Sequence, residues 1–161
     1  MTNTCARTLT TTTTLTCALM LPALAQAREV NITTTLKSYG GDGAYLAVYL
    51  TNDHNGYEGT LWLAGGKAKY YKHLSDWFGA TYGDQAEIDG ITGASVGQGR
   101  TLTVTVEIAD AMIDAGYQIR VDAAVEDMRD SPAEIIVPLT AAAAGKPVSG
   151  TGYVDTFQFD M

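Results

Sequence analysis

Cysteine is almost absent from this chain of 161 residues, and the two that occur, Cys5 and Cys17, both lie near the N-terminus. From position 18 onward no thiol is available for a disulfide, for a soft metal ion or for redox chemistry. A redox function in this part of the chain therefore requires a bound cofactor.

Positive charge is also scarce. The chain has ten Lys and Arg residues against 18 Asp and Glu, and Arg7 is the only charged residue in positions 1–27. The remaining residues hold nine basic and 18 acidic side chains, a net charge of −9. An acidic surface repels phosphate backbones and anionic lipids, so we exclude nucleic-acid binding and peripheral membrane binding as main functions.

Positions 1–27 have the parts of a secretory signal peptide. One basic residue precedes an apolar run at 17–25, and small residues then offer an Ala-x-Ala cleavage site. The run is shorter than the roughly 20 residues that span a hydrocarbon core, and no Arg-Arg pair marks a twin-arginine signal. We predict Sec-type export to the periplasm, cleavage after Ala25 or Ala27, and no membrane insertion afterwards. Residues 28–161 then form one domain.

Alternation of apolar and polar residues dominates this domain. It predicts four strands, at 30–37, 45–50, 101–108 and 117–123. Three shorter candidates are Thr60–Ala64, Ala133–Leu139 and Tyr153–Phe159. Short strands joined by Gly-, Asn- and Asp-rich turns, such as 40–43, favour an antiparallel arrangement. We predict a mainly β fold, an antiparallel immunoglobulin- or fibronectin-III-like β-sandwich.

One segment departs from the two-residue period. Tyr70, Leu74, Trp77 and Phe78 recur at helical spacing and predict one amphipathic helix over 67–78, inserted between strands. Such a helix would cover the aromatic outer face of the strand that holds Tyr45 and Tyr49, and would place His73 and Trp77 on one face.

The segment Asp89–Ser95 reads Asp-Gly-Ile-Thr-Gly-Ala-Ser. It resembles the acceptor site of bacterial flavin transferases of the ApbE type: Asp, two free positions, Ser or Thr, Gly, Ala, and then the modified Thr or Ser. All five specified positions match. The resemblance implies that FMN is transferred from FAD to the Ser95 hydroxyl as a phosphoester. The implied recognition frame consists of Asp89, Thr92, Gly93 and Ala94.

The residue types in the motif suit an acceptor loop. We expect Gly93 to supply backbone freedom and Ala94 to leave room beside the incoming phosphate. The Asp89 carboxylate has two possible roles, capping the turn or binding the metal ion of the transferase, and the sequence does not separate them. The alternative interpretation of the segment is an ordinary turn between two strands.

A wider resemblance extends from Val30 to Leu139, where the chain is similar to the DUF2271 family of predicted periplasmic proteins. The segments that carry it are Tyr45–Leu50, Thr60–Leu63, Tyr71–Trp77, Asp89–Ser95 and Gly116–Val121. The resemblance implies extracytosolic electron transfer, with an ApbE-type flavin transferase and a PepSY-type membrane reductase as partners. The chain departs from the family in having Ser95 where many members have Thr. It also has Ile108–Asp114 in place of a Trp-Asp-Gly-rich turn.

Two aromatic residues of the predicted helix have open roles. Trp77 and His73 either line the flavin ring or pack in the ordinary way, with Trp77 in the core and His73 half-exposed. His54 beside Asp53 fits a solvated turn better than a metal site, and we predict no metal ligands in this chain. No nucleophile–base arrangement can be built from the sequence, so we predict no catalytic residues and favour a redox carrier over an enzyme.

Two functions of different classes follow. The first is a periplasmic electron carrier with FMN on Ser95. The second is a cofactor-free binding or accessory module that recognises a partner by β-strand addition.

Overall fold

The computed structural model describes residues 26–161. The predicted signal peptide lies outside the described residues, apart from its last two positions. The strands are β1 Ala27–Leu36, β2 Tyr45–Thr51, β3 Tyr57–Ala64, β4 Thr92–Gly93, β5 Thr101–Ala109, β6 Gln118–Ala124, β7 Ser131–Pro138 and β8 Val154–Asp160. The α-helix α1 spans Ser75–Thr81, and 3₁₀ helices span Ala68–His73, Gln85–Ile88 and Asp110–Met112. The mainly β prediction is confirmed, and each of the seven predicted strands is present.

The strands form two sheets, one of three strands in the order β5-β1-β8 and one of five in the order β4-β3-β2-β6-β7. Neighbouring strands are antiparallel except for β3 and β4, which run parallel. The predicted antiparallel arrangement thus holds for every pair but this short one. No helix in residues 26–161 is long and apolar enough to cross a bilayer.

The main core lies between the two sheets. Val30 and Ile32 of β1 and Phe157 of β8 are buried in one cluster with Val48 of β2 and Val121 of β6. These residues occupy alternate positions of their strands, so burying them turns one face of each sheet inward.

A second core covers the outer face of the five-stranded sheet. Tyr45 and Tyr49 of β2 are buried there beneath Tyr71, Leu74 and Trp77. The prediction that a helical segment covers the aromatic face of β2 is therefore confirmed. Since β2 is covered on both faces, all seven of its residues are buried.

The single helix predicted over 67–78 is wrong. The chain forms the 3₁₀ helix Ala68–His73 and then α1, with a break at Leu74, whose φ and ψ are −85° and 69°. The buried residues Tyr71, Leu74 and Trp77 recur every three residues, which is closer to the 3₁₀ period of 3.0 than to 3.6. Burial of these three side chains therefore selects two short helices, and His73 does not share a helix with Trp77.

Candidate functional site

The Asp89–Ser95 motif lies along one edge of the five-stranded sheet. Thr92–Gly93 forms β4 and pairs in parallel with the end of β3. The Gly65 N–H donates a hydrogen bond to the Gly93 carbonyl at 2.8 Å. The motif is therefore part of the sheet and not only a turn between strands.

The backbone is fixed again directly after the motif. Val96 and Ala44 pair through two N–H···O bonds of 2.8 and 2.9 Å. The Val96 side chain is buried, whereas Ala94 and Ser95 are exposed. Ser95 thus belongs to a two-residue segment that is anchored at both ends and open to solvent.

Ser95 borders an open cleft of about 540 Å³, which we call the acceptor cleft. Besides the motif residues Ala94 and Ser95, it is lined by Asp42, Gly43, Tyr45, Gly66, Lys67 and Glu126. These residues come from the loop before β2, from β2, and from the segments after β3 and β6, so the fold brings four other parts of the chain to the motif. Lys67 supplies the positive charge of this lining, and Asp42 and Glu126 supply negative charge.

The role expected for Gly93 needs correction. The residue with a left-handed backbone is Gly90, at φ +78°, one of the two free positions of the motif. A Cβ on Gly93 would lie 2.9 Å from Cζ2 of Trp62. Glycine fits at position 93 because the Trp62 ring packs against its Cα, and not because the backbone there needs unusual freedom.

Asp89 and Thr92 are both exposed. Asp89 is the C-terminal cap residue of the 3₁₀ helix Gln85–Ile88, and the carboxylate that caps the start of this helix belongs to Asp84, which accepts from the Ala86 N–H at 2.9 Å. The two motif side chains are thus available to an external protein, and their contact with a transferase stays a prediction.

Tyr57 holds the segment that leads into the motif. Its hydroxyl donates to Glu87 at 2.9 Å and lies 2.7 Å from the Thr60 Oγ1. Burial raises the pKa of Tyr57 to about 12, so the hydroxyl keeps its proton at neutral pH. Ile88 packs in the outer core, and together these contacts fix the start of the motif against β3.

Trp77 lies in the outer core and is 1% exposed. Its indole Nε1 donates to the Thr60 Oγ1 at 2.8 Å, and its ring stands edge-on to Tyr71 at 6.0 Å. Of the two roles left open by the sequence, the structure shows core packing, and Trp77 offers no exposed ring face for a flavin.

His73 is half-exposed, and its Nδ1 lies 3.0 Å from the Asp130 carboxylate. It lines a groove that also contains Tyr45, Tyr70 and Met128. Tyr45 lines the acceptor cleft as well. The fold therefore brings His73 to the same side of the molecule as Ser95.

Asp122 on β6 fixes the helical cover, a role that its local sequence does not indicate. It is fully buried and accepts hydrogen bonds from the backbone N–H groups of Trp77 and Ala133, both at 2.9 Å, and from the Tyr49 hydroxyl at 3.2 Å. Burial raises the pKa of Asp122 and also that of Tyr49. In the alternating pattern of β6, Asp122 has the position of a solvent-facing residue, and only the cover makes that position interior.

Other polar residues have structural partners. Glu126 accepts a hydrogen bond from the Tyr70 hydroxyl, and the exposed His54 and Asp53 pair at 2.6 Å in their turn. Within the described part of the chain, no three His, Cys, Asp or Glu side chains are grouped so as to hold a metal ion. The sequence did not single out Gly43, Lys67 or Glu126 as site residues, because only the strand register brings them beside Ser95.

Comparison with known proteins gives one match. A family model described as "Predicted periplasmic protein (DUF2271)" matches residues 27–156, which is most of the chain and nearly all of the described part. No curated protein and no solved structure matches the chain.

Proposed function

The chain belongs to the DUF2271 family of predicted periplasmic proteins, and we propose that it is an electron carrier with FMN attached to Ser95 through a phosphoester. In this proposal the protein is exported by its signal peptide and modified by an ApbE-type flavin transferase. A PepSY-type membrane reductase or a similar redox protein then supplies its electrons.

The observation that carries the proposal is the setting of Ser95. Its side chain is exposed on a segment anchored by the pairing of Gly93 with β3 and of Val96 with Ala44. An acceptor hydroxyl must reach a second enzyme without unfolding its own domain, and this arrangement presents it at low conformational cost.

The residues around Ser95 also fit the group. The absence of a side chain on Gly43 keeps the space beside the Ser95 Oγ open, and the acceptor cleft extends from it. Lys67, the basic residue of the cleft lining, complements the negative charge of a phosphodiester. FMN would supply the electron-accepting chemistry, which the thiol-free described chain lacks. The protein would hold the flavin and set the charge around it.

Mass spectrometry tests the proposal. The mature protein, co-expressed with an ApbE-type transferase, is expected to gain an FMN-sized mass increment that is lost in Ser95→Ala. The matched control is Ser75→Ala, which removes another exposed hydroxyl and leaves the motif intact. Absence of the increment, or its survival in Ser95→Ala, would contradict the proposal.

The strand order supports the finer fold assignment, an immunoglobulin-like sandwich. If β1 is taken as strand B, then β2, β3, β5, β6 and β7 take the places of C, C′, E, F and G. The place of strand A beside B is filled by β8, from the other end of the chain. We propose that the fold is this sandwich with its first strand supplied by the C-terminal segment.

A cofactor-free binding module is the second candidate. Within residues 26–161, β5 pairs only with β1, so one side of this nine-residue strand is an open edge. Such an edge can accept a strand from a partner. Purified protein that shows no flavin absorption after co-expression with the transferase would favour this candidate over the carrier.

A further inference from the structure

A groove continues from the acceptor cleft across the molecular surface. It has a volume of about 160 Å³, and Tyr45 and Glu126 line both it and the cleft. We call it the tyrosine groove; it is lined by Tyr45, Tyr70, His73, Ala124, Val125 and Met128, together with the acidic Glu126 and Asp127. The cleft beside Ser95 and the groove therefore adjoin at Tyr45 and Glu126.

The floor of the tyrosine groove is apolar and its side is aromatic. Ala124 and Val125 are buried beneath it, and the rings of Tyr45 and Tyr70 stand 5.4 Å apart between centroids, tilted by 60°. Met128, 39% exposed, lies on the rim. Apolar and aromatic walls with a small number of polar groups are typical of sites for small molecules and cofactors, and a methionine adapts its shape to the ring placed against it.

The polar groups of the groove lie at its border. Asp130 is bonded to Nδ1 of His73, which leaves Nε2 for a ligand. The Glu126 carboxylate accepts from the Tyr70 hydroxyl, so this acid is already partnered. Asp127 adds a further negative charge to the lining.

Basic side chains also collect on this side of an otherwise acidic protein. The Nζ atoms of Lys69 and Lys67 lie 4.5 and 5.8 Å from the centroid of the Tyr70 ring. Lys67 and Lys69 are two of the nine basic residues outside positions 1–27. Their charge offsets that of Glu126 and Asp127 in the groove lining, which suits an occupant that carries a phosphate and becomes more negative when it accepts electrons.

We infer that the tyrosine groove is the seat of one edge of the isoalloxazine ring of the flavin tethered at Ser95. A cavity of about 150 Å³ takes a benzene ring, so a groove of about 160 Å³ receives part of the three-ring system and the rest lies outside it. The inference rests on the proposed function and adds to it the residues that hold the ring. Tyr70 and the small exposed part of the largely buried Tyr45 form the aromatic wall, Met128 closes the rim, and His73 is the polar neighbour of the ring. None of these residues belongs to the acceptor motif.

Flavin fluorescence tests the inference, because a phenol in contact with an excited flavin quenches its emission and a phenylalanine ring does not. The flavinylated protein is expected to fluoresce weakly when folded and several-fold more strongly in urea. In Tyr45→Phe/Tyr70→Phe, which keeps both rings, much of that increase is expected already in the folded state. The matched control is Tyr82→Phe, since Tyr82 is 93% exposed and lies outside the groove.

A second variant keeps the test valid if the double mutant does not fold. Met128→Arg changes a partly exposed rim residue and is expected to displace the ring and raise the fluorescence, with an unchanged urea midpoint.

The outcomes separate the two proposals. Protein without the FMN mass increment overturns the proposed function and the ring seat together. If the protein gains the increment but its flavin fluoresces as strongly in the folded state as in urea, the ring seat alone is overturned. The ring seat is also overturned if both groove variants are quenched as strongly as the unaltered protein.

Discussion

Gly43 and Ser95 lie side by side in the lining of the acceptor cleft: a Cβ placed on Gly43 would lie 2.8 Å from the Ser95 Oγ and 3.2 Å from its Cβ. Gly43 lies in the loop before β2, 52 positions before Ser95. The space that the Ser95 hydroxyl occupies therefore depends on a glycine outside the motif.

The first prediction is that Gly43→Ala lowers the yield of flavinylation. The added methyl group must push the Ser95 side chain aside, because 2.8 Å is below the contact distance of two such atoms. Intact mass after co-expression measures the modified fraction. Gly79→Ala, where a Cβ meets nothing within 4 Å, is the control and should be modified as fully as the unaltered protein. Equal modification of Gly43→Ala would show that the hydroxyl has another route to the transferase.

The second prediction is that the two glycines of the motif, Gly90 and Gly93, are needed for different physical reasons. Gly93→Ala should lower the free energy of unfolding by about 1–3 kcal/mol, because its Cβ would overlap the Trp62 ring. Gly90→Ala meets no neighbour, so its cost of about 1–2 kcal/mol comes from the left-handed backbone alone. Urea denaturation of both variants measures these costs.

Replacing Trp62 by a smaller residue provides the control for this pair. Trp62→Leu should relieve much of the overlap in Gly93→Ala and should leave the cost of Gly90→Ala unchanged. Equal effects on both glycine variants would contradict the packing explanation.

The third prediction concerns the buried Asp122. Burial raises its pKa in the folded protein, with a smaller contribution from Asp76. The folded protein therefore holds this proton at pH values where the unfolded chain has released it. As a result, the contribution of Asp122 to the free energy of unfolding falls with rising pH. The fall begins at the ordinary pKa of an aspartate, about 3.9, and ends at the raised pKa of Asp122 in the folded protein.

Asp122→Asn should remove that slope and lower stability at neutral pH. An amide has one oxygen, so at least one of the N–H groups of Trp77 and Ala133 loses its acceptor, at a cost of about 1–3 kcal/mol. Urea titrations between acidic and neutral pH measure both effects. The control is Asp155→Asn, which changes an exposed aspartate. An unchanged pH slope in Asp122→Asn would mean that the slope arises from other groups.

The fourth prediction concerns the link between the two sheets. The buried Glu134 of β7 accepts hydrogen bonds from the N–H groups of Gly152 and Val154 at 2.8 and 3.0 Å. Glu134→Ala leaves both donors without their partner and should lower the free energy of unfolding by about 2–5 kcal/mol. Thermal denaturation measures the loss. Glu107→Ala, at an exposed strand position, should change stability little, and a similar loss in both variants would refute the role of Glu134.

The sequence predicted the strands well because each of them carries its own signal. The alternation in 30–37 appears as β1, and that in 117–123 appears as β6. β4 was missed because a two-residue strand has no alternation and exists only through its pairing with β3. The helix was misjudged for a related reason, since burial of Tyr71 against the sheet cannot be foreseen from local spacing.

The candidate site likewise has one part that the sequence reveals and another that only the fold brings together. Asp89–Ser95 is one continuous segment, so its resemblance to an acceptor site is visible in the sequence alone. Gly43, Lys67 and Glu126 carry no motif, and they meet at the cleft beside Ser95 only through the fold. An aromatic residue such as Trp77 suits either contact with a flavin or packing in the core. Its side chain is 1% exposed, which shows that it packs in the core.

By itself, the sequence determined the local properties of this protein: its strands, its acidic charge, the lack of thiols beyond Cys17 and the seven-residue motif. Each of these depends on residues that are close along the chain. Only the tertiary structure decided that Gly93 packs against Trp62, that Gly43 leaves room for Ser95, and that the acceptor cleft adjoins the tyrosine groove. Those relationships join residues distant in sequence, and they are fixed by strand register and by the burial of side chains on both faces of the five-stranded sheet.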